Sequence, residues 1–441
     1  MEKIAEICGI EFYYIENSNF KSDTVTVNFC DRLDAKRAYK NAVIPALLWR
    51  GCRDYPTSKK LTVKCQELFG TAFMTDVGKR SEIQHMLFMV DFLKDEYVKA
   101  FDGEENFDDE YIAKEAFKLL IKVLTDPVTE GSGFSEKYFK QECTNLNNDI
   151  YAEKNDKHHY AMRRCREVMF AGEAFAVSEL GYAEDGENLS SEELYDYYRS
   201  YFLKKVPCRV FYCGKKRPDA LVDMFREAAA TGVFGDGERG GAYIDYVEKH
   251  YISREEIKSL TEEYEISDGK LVMGFRTNTP QDSDGFFPLV LMNTVYGGGT
   301  SSKLFKNVRE KNSLAYYAGS RVSAVKGVMF VTAGISPDKF DTARAIILEQ
   351  LDEIKKGNIT DEEFEAAKNN IINNLRNLAE DQYSLLDYYL DQSFLNKSYA
   401  LDEYISNIEK VKKEQLPEVA KKIQLDTVYF MKGTKEDDDE E

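Results

Sequence analysis

Apolar and polar residues alternate from Thr24 to Phe29 in the order Thr-Val-Thr-Val-Asn-Phe, the period-two pattern of a strand with one buried face. From Ala35 to Trp49 the apolar positions change to helical spacing, and Leu61 to Leu68 predicts a second helix. Gln84 to Phe92 is an apolar run of strand length. Tyr111 to Leu124 and Ser135 to Ala152 return to helical spacing, the first with Ala116, Leu119, Leu120 and Val123 on one face. Glu193 to Phe202 predicts a helix, and Cys208 to Cys213 a strand that stops at Gly214.

The same order then recurs. Lys270 to Arg276 predicts a strand and Phe286 to Val295 a helix. A helix over 301–311 and strands over 314–322 and 327–333 come next. Two long helices follow, Asp338 to Lys356 and Asp361 to Glu380, and the chain closes on a helix from Lys413 to Ile423 and a strand from Val428 to Met431, before Gly433. Local echoes support an internal duplication. Ser135-Glu136-Lys137-Tyr138-Phe139 opens a helix that carries Leu146-Asn147-Asn148-Asp149-Ile150. Thr360-Asp361-Glu362-Glu363-Phe364 opens one that carries Ile372-Asn373-Asn374-Leu375. The expected architecture is α+β: two repeated α/β-sandwich halves, 1–215 and 266–433. They are joined by a linker region, 216–265, that includes Phe234-Gly235-Asp236-Gly237-Glu238-Arg239-Gly240-Gly241, and are followed by an acidic tail, 434–441.

Composition narrows the partners. Of 441 residues, 78 are acidic and 59 basic, a formal charge of -19 that repels phosphate backbones and anionic lipid surfaces. Nucleic acid and membrane are therefore poor partners, and a neutral or basic peptide fits better. The N-terminus lacks a basic stretch followed by an apolar run, and no apolar run reaches the length of about 18 residues needed for a membrane span. Eight scattered cysteines, none in a Cys-x-x-Cys pair, read as reduced, buried thiols. A cytoplasmic location is expected.

The most specific segment is 295–321, Val-Tyr-Gly-Gly-Gly-Thr-Ser-Ser-Lys-Leu-Phe-Lys-Asn-Val-Arg-Glu-Lys-Asn-Ser-Leu-Ala-Tyr-Tyr-Ala-Gly-Ser-Arg. A glycine turn enters a helix that Thr300, Ser301 or Ser302 can cap, and Ser313-Leu314-Ala315-Tyr316 starts a strand. Gly297-Gly298-Gly299 lacks the Gly-Lys-Ser/Thr ending of a phosphate loop. The segment resembles the C-terminal half of pitrilysin/insulinase-type zinc metallopeptidases, the family that includes mitochondrial processing peptidase. There the order is Gly-Gly-Gly, Ser-Ser, Leu-Phe, Arg-Glu-Lys, Leu-Ala-Tyr. The two repeated halves extend the resemblance over most of the chain.

What the resemblance implies about zinc is negative. In the family an inverted His-x-x-Glu-His helix follows the first strand and precedes a Gly and a Tyr-Pro-Thr stretch. Here Ala42-Val43-Ile44-Pro45-Ala46 occupies that helix, followed by Gly51 and Tyr55-Pro56-Thr57. Ala42 and Ala46 stand in place of the histidines, Pro45 in place of the catalytic glutamate, and Asp149 matches the third ligand. Catalytic zinc needs three N, O or S ligands, and alanine has no lone pair to give. Proline cannot take a proton from water. Ser81-Glu82-Ile83-Gln84-His85-Met86-Leu87-Phe88 ends like the family's His-Met-Leu-Phe, but Ser81 and Gln84 replace the first His and the Glu, and it lies too far along the chain. His158 and His159 are adjacent and point apart on a helix. No zinc is expected on this chain, which is expected to be inactive alone.

The resemblance also implies that Arg309 and Tyr316, seven residues apart, reach toward substrate from the C-terminal half, with Gly297, Gly298 and Gly299 along an extended peptide. Arginine's donor fork suits carbonyls or a carboxylate. A tyrosine hydroxyl can donate to a carbonyl oxygen as it gains charge. Read without the family, Arg309 is a solvated helix-end residue and Tyr316 a core strand aromatic, with Tyr317 on the opposite face. The implied role is the substrate-binding, non-catalytic subunit of a heterodimeric zinc peptidase, partnered by a zinc-bearing pitrilysin-type sister or paired with a second copy of itself. Two rivals stand beside it: a structural or peptide-binding scaffold without proteolysis, and a peptidase with unfamiliar ligands such as Asp149 and His85.

Overall fold

The computed structural model describes residues 1–102, 110–239 and 256–434. The strands are β1 (Glu2–Ile7), β2 (Ile10–Glu16), β3 (Ser22–Arg32), β4 (Ala72–Arg80), β5 (Ile83–Leu93), the short pair β6 (Thr129–Glu130) and β7 (Gly133–Phe134), β8 (Cys208–Gly214), β9 (Lys258–Tyr264), β10 (Gly269–Arg276), β11 (Ala315–Ser323), β12 (Val328–Ile335) and β13 (Gln424–Gly433). The helices are α1 (Ala35–Trp49), α2 (Ser58–Glu67), α3 (Asp95–Asp102), α4 (Tyr111–Thr125), α5 (Glu136–Ala152), α6 (Lys157–Met169), α7 (Ser191–Tyr197), α8 (Leu203–Lys205), α9 (Asp219–Ala229), α10 (Phe286–Gly297), α11 (Phe340–Lys355), α12 (Asp361–Leu378), α13 (Gln382–Ser393), α14 (Leu401–Lys410) and α15 (Gln415–Ala420).

The fold is α+β, and its duplication is explicit in the strand order. One sheet runs β1-β2-β8-β3-β5-β4, the other β11-β12-β10-β13-β9. Reversing the second gives β9-β13-β10-β12-β11, which matches β2-β8-β3-β5-β4 strand for strand. In each sheet one pair is parallel, β2 with β8 and β9 with β13, and the other pairings are antiparallel.

The chain forms two compact units. The first is Met1–Ala152, Val177–Ala242 and Gln382–Leu390; the second is Glu153–Ala176, Tyr243–Asp381 and Asp391–Glu441. In the first, α1 and α4 pack Val43, Ile44, Leu120 and Leu124 onto the sheet face that carries Val27, Phe29, Phe88 and Val90. In the second, α10 and α11 pack Leu289, Met292, Ile347 and Leu351 onto Leu271, Met273, Val331 and Ala333. The other face of each sheet takes a helix from the opposite half of the sequence. On the second sheet, α6 buries Ala161, Cys165 and Met169 against Val272, Phe330 and Tyr429. On the first, Gln382 at the start of α13 donates its Nε2 to the Cys213 carbonyl at 3.2 Å, and Asp387 pairs with Arg80.

Several expectations change. Residues 216–265 are not a plain linker. Helix α9 buries Leu221, Val222 and Phe225 in the first core, where Phe225 stacks on Phe234 at 4.7 Å, and β9 is a strand of the second sheet. Gly240, Gly241 and the rest of 240–255, and 435–441 of the expected tail, lie outside the described residues. The helix expected over 301–311 narrows to a π-helical turn, Phe305–Glu310, in which Lys311 N–H reaches the Lys306 carbonyl at 2.9 Å. The one expected over Glu193 to Phe202 begins as α7 and ends in a second π-helical turn, Tyr198–Phe202. Among the described residues no helix is long and apolar enough to cross a membrane.

Candidate functional site

Helix α1 is the helix that the resemblance aligns with the zinc motif, and it is well formed. Asp34 caps it, accepting from Lys36 N–H at 2.8 Å. A polar network then ties it down: Asn41 Nδ2 donates to Asp31 at 3.1 Å and to Gln84 at 3.0 Å, while its Oδ1 accepts from Tyr197 at 2.8 Å. Gly51 leaves α1 at φ +134, and a Cβ there would lie 2.1 Å from the Tyr55 carbonyl oxygen, so only glycine makes this turn. Thr57 caps α2, accepting from Lys60 N–H at 3.2 Å.

Across from α1 lies α5. Tyr39 hydroxyl donates to Asn147 Oδ1 at 3.0 Å, and Arg50 forms an ion pair with Glu142, whose other oxygen accepts from Asn145 at 3.1 Å. Asp149, two helical turns beyond Glu142, is exposed. Within this frame the ligand positions hold only carbon: Ala42 is 4% exposed, Pro45 is buried, and Ala46 is half-buried beside them. These side chains do not fit zinc, because none carries a donor atom, and Asp149 alone is no ligand set. Pro45, inside the helix, also lacks the N–H that would bond back to Asn41.

His85 is no substitute. It lies on β5, on the sheet face away from α1, with Nε2 2.8 Å from Asn28 Oδ1. The structure therefore does not bring it to Asp149. Burial first, and then the positive charge of Arg80, push its pKa down to about 3. Among the described residues no cluster of three His, Cys, Asp or Glu side chains is placed to hold a metal. His158 and His159 differ in partner as well as direction: His158 Nδ1 meets the Tyr317 hydroxyl at 3.0 Å, and His159 meets Asp156 at 2.6 Å.

Arg309 and Tyr316 both sit on irregular backbone. Arg309 is exposed in the π-helical turn, its guanidinium 4.8 Å from the Phe305 ring centroid. The turn is closed onto the following strand by Leu314 N–H to the Val308 carbonyl at 3.0 Å. On β11, Ala315 pairs with Ile335 and Tyr317 with Gly334, so Tyr316 is the extra residue of a bulge. The bulge turns it outward. Tyr316 is 63% exposed, not a core aromatic, while Tyr317 is half-buried, its pKa pushed up to about 12 by burial and then by Asp156 and Asp268. Among the described residues neither Arg309 nor Tyr316 has a hydrogen-bond or ion-pair partner. π-Turns and bulges are both over-represented at functional sites.

The three glycines do different work. Gly297 is buried, and a Cβ there would meet Ser320 N at 2.4 Å, so its bareness lets α10 pack against β11. At Gly298 a Cβ would meet Thr294 Cα at 2.6 Å. Both absences serve packing, whereas Gly299 is exposed and a Cβ there would meet only Asn370 Nδ2, at 3.5 Å. The Arg50–Glu142 pair, the bulge and the π-turn are not evident in the sequence. A lone arginine directly after the motif helix was the one available signal for the first of these.

A family model described as the peptidase M16 inactive domain matches residues 188–371. The chain is 28% identical over 426 residues to the probable inactive metalloprotease YmfF of Bacillus subtilis, covering 97% of this chain and 96% of that one. It superposes on a conserved protein of Enterococcus faecalis with a TM-score of 0.88 at 24% identity, covering 99% of both chains. On a Pseudomonas fluorescens protein described as a peptidase M16 inactive domain the TM-score is 0.77 at 13% identity, over 99% of this chain and 98% of that one. The chain thus has the fold of M16 peptidases, matches the peptidase M16 inactive domain over residues 188–371, and is similar over nearly its whole length to a probable inactive metalloprotease.

Proposed function

We propose that this chain is the substrate-binding subunit of a two-chain zinc peptidase whose metal site is supplied by a sister subunit of the same family. The observation that carries the reading is the pairing of a donor-free motif helix with an Arg309 and a Tyr316 that are both exposed and both lack a hydrogen-bond or ion-pair partner among the described residues. A protein kept only as scaffold has little use for a π-turn and a bulge that aim two polar side chains outward. In this role Arg309 holds a peptide carbonyl or carboxylate through its paired N–H groups. Tyr316 donates its hydroxyl to the carbonyl under attack. The substrate is a peptide in extended form, and the partnership forms inside the cell.

The test is reconstitution. The chain is co-expressed with a relative that carries His-x-x-Glu-His, and the complex is assayed on a quenched fluorescent peptide library. Turnover is expected only from the mixture, and Arg309→Ala should lower it about 10²–10³-fold, the range for loss of one transition-state donor. Unchanged turnover by the Arg309→Ala mixture would refute the role. The isolated chain, purified from zinc-containing medium, is expected to carry substoichiometric zinc; one zinc per chain would refute the division of labour.

A further inference from the structure

Between the first sheet and α13 lies a cavity of about 330 Å³, entirely within the first unit. Its floor is the sheet face opposite α1, with Thr26, Asn28 and His85 among the apolar Leu87 and Met89. Leu386 and Leu390 of α13 close it from above, and Met74, Tyr383 and Asp387 stand at its partly exposed rim. Such a floor is unusual for an internal sheet face, because three polar side chains converge where packing alone would call for aliphatic ones.

The hydrogen bonds fix what the floor offers. Asn28 Nδ2 donates to Thr26 Oγ1 at 3.0 Å and to the Arg209 carbonyl at 3.1 Å, which identifies Oδ1 as the acceptor facing His85. His85 Nε2–H therefore donates to Oδ1 at 2.8 Å, and the neutral ring keeps its lone pair on Nδ1. Directly across the ladder from His85 stands Gly78, where a Cβ would come to 4.0 Å from Nδ1. Glycine thus leaves Nδ1 uncovered from the neighbouring strand.

We propose that this cavity is a binding site for a small, uncharged aromatic group carrying one hydrogen-bond donor, of phenol or indole type. The apolar walls take the ring and His85 Nδ1 takes the donor. The apolar walls and the neutral imidazole give neither an anion nor a cation a charge partner, and Asp387 at the rim is already paired with Arg80. Its pKa, depressed by burial and Arg80, keeps that floor uncharged through the physiological range. The group can come from a free small molecule or from a tyrosine or tryptophan side chain of a peptide. The site is independent of the function proposed above.

The experiment uses the full chain with methyl-labelled methionine and follows Met74 and Met89, which line the cavity, by NMR. Titration with p-cresol and with indole should shift both methyls by ring current. Toluene, which lacks the donor, should bind about 5–10-fold more weakly, the worth of one net hydrogen bond, and benzoate should not bind. Gly78→Val, at an unstrained edge-strand position, should cover Nδ1 and erase the preference for cresol over toluene. N-acetyltyrosinamide separates the sources: binding at least as tight as cresol indicates a peptide side chain, and binding by the free phenol alone a small molecule. No shift at Met74 and Met89 with any probe, or equal affinity for cresol and toluene in the wild-type protein, would overturn the proposal. Because that comparison needs only the wild-type chain, a Gly78→Val protein that misfolds does not rescue it.

Discussion

The Arg50–Glu142 pair gives a quantitative handle on how the emptied motif helix is held. Its side chains are 18% and 7% exposed, and it ties the end of α1 to the middle of α5. Arg50→Met leaves the Glu142 carboxylate with Asn145 as its remaining partner at 3.1 Å. Removing one member of a buried pair costs about 3–5 kcal/mol. Partial exposure of the arginine places the expected loss at the low end, about 3 kcal/mol. Glu142→Leu frees an arginine that can still reach water, at about 1 kcal/mol. The double variant removes both charges and should lie within about 1 kcal/mol of wild type, since apolar replacement of a buried pair is often neutral. The coupling energy is then about 4 kcal/mol. Trp49, the chain's single tryptophan, is adjacent to Arg50 on α1 and 40% exposed, so its fluorescence in urea reports on the first unit without requiring the whole chain to unfold in one step. A double variant as unstable as the two single losses added together would show that Arg50 and Glu142 do not act as a pair, and the account of how α1 is anchored would fail.

Other substitutions separate packing from function. Gly297→Ala forces a methyl against the Ser320 backbone at 2.4 Å and should cost about 1–3 kcal/mol in urea unfolding; no loss would mean that α10 and β11 are not in close contact. Arg309→Ala and Tyr316→Phe should each change stability by less than about 0.5 kcal/mol, because both side chains are exposed, and a larger loss would mark them as structural. His85 titrates near 3 when folded against 6.5 in an unfolded chain, so the unfolded state takes up its proton first as pH falls. Its contribution to stability is complete above about pH 6.5 and declines toward pH 3, by up to about 1.4 kcal/mol per unit. Compared by urea unfolding between pH 7 and 4.5, His85→Gln should lose that part of the acid slope, and identical slopes would contradict the burial argument.

Much of the architecture was legible because buried faces carry period. β3 and β5, buried along nearly their whole length, and α4, with its apolar stripe, stand out in the sequence. β4 and β9, edge strands with side chains alternately half-buried and exposed, do not, and Lys-Ser-Leu-Thr-Glu-Glu-Tyr in β9 has no apolar run to mark it. Helix α13 escaped notice, and α6 was marked only at His158 and His159, because each covers a sheet from the other half of the chain. At the candidate site the lost zinc ligands were plain, since alanine and proline declare their chemistry by identity. The π-turn at Arg309 and the bulge at Tyr316 were not, because an extra residue in a helix or a ladder exists only relative to the hydrogen-bond partners that surround it.

The exchange of α6 and α13 has a consequence for synthesis on the ribosome. The second sheet's covering helix is made before any of its strands, so it waits as an amphipathic segment. The first sheet is complete once Gly214 has emerged, yet its cover, α13, ends about 180 residues later. At about 5–20 residues per second that face stays open for on the order of ten to thirty seconds. It displays Thr24, Thr26, Asn28 and His85, side chains that water can solvate in the interval. These polar side chains, set among Leu87 and Met89, reduce the apolar area left open until the last quarter of the chain arrives to close it.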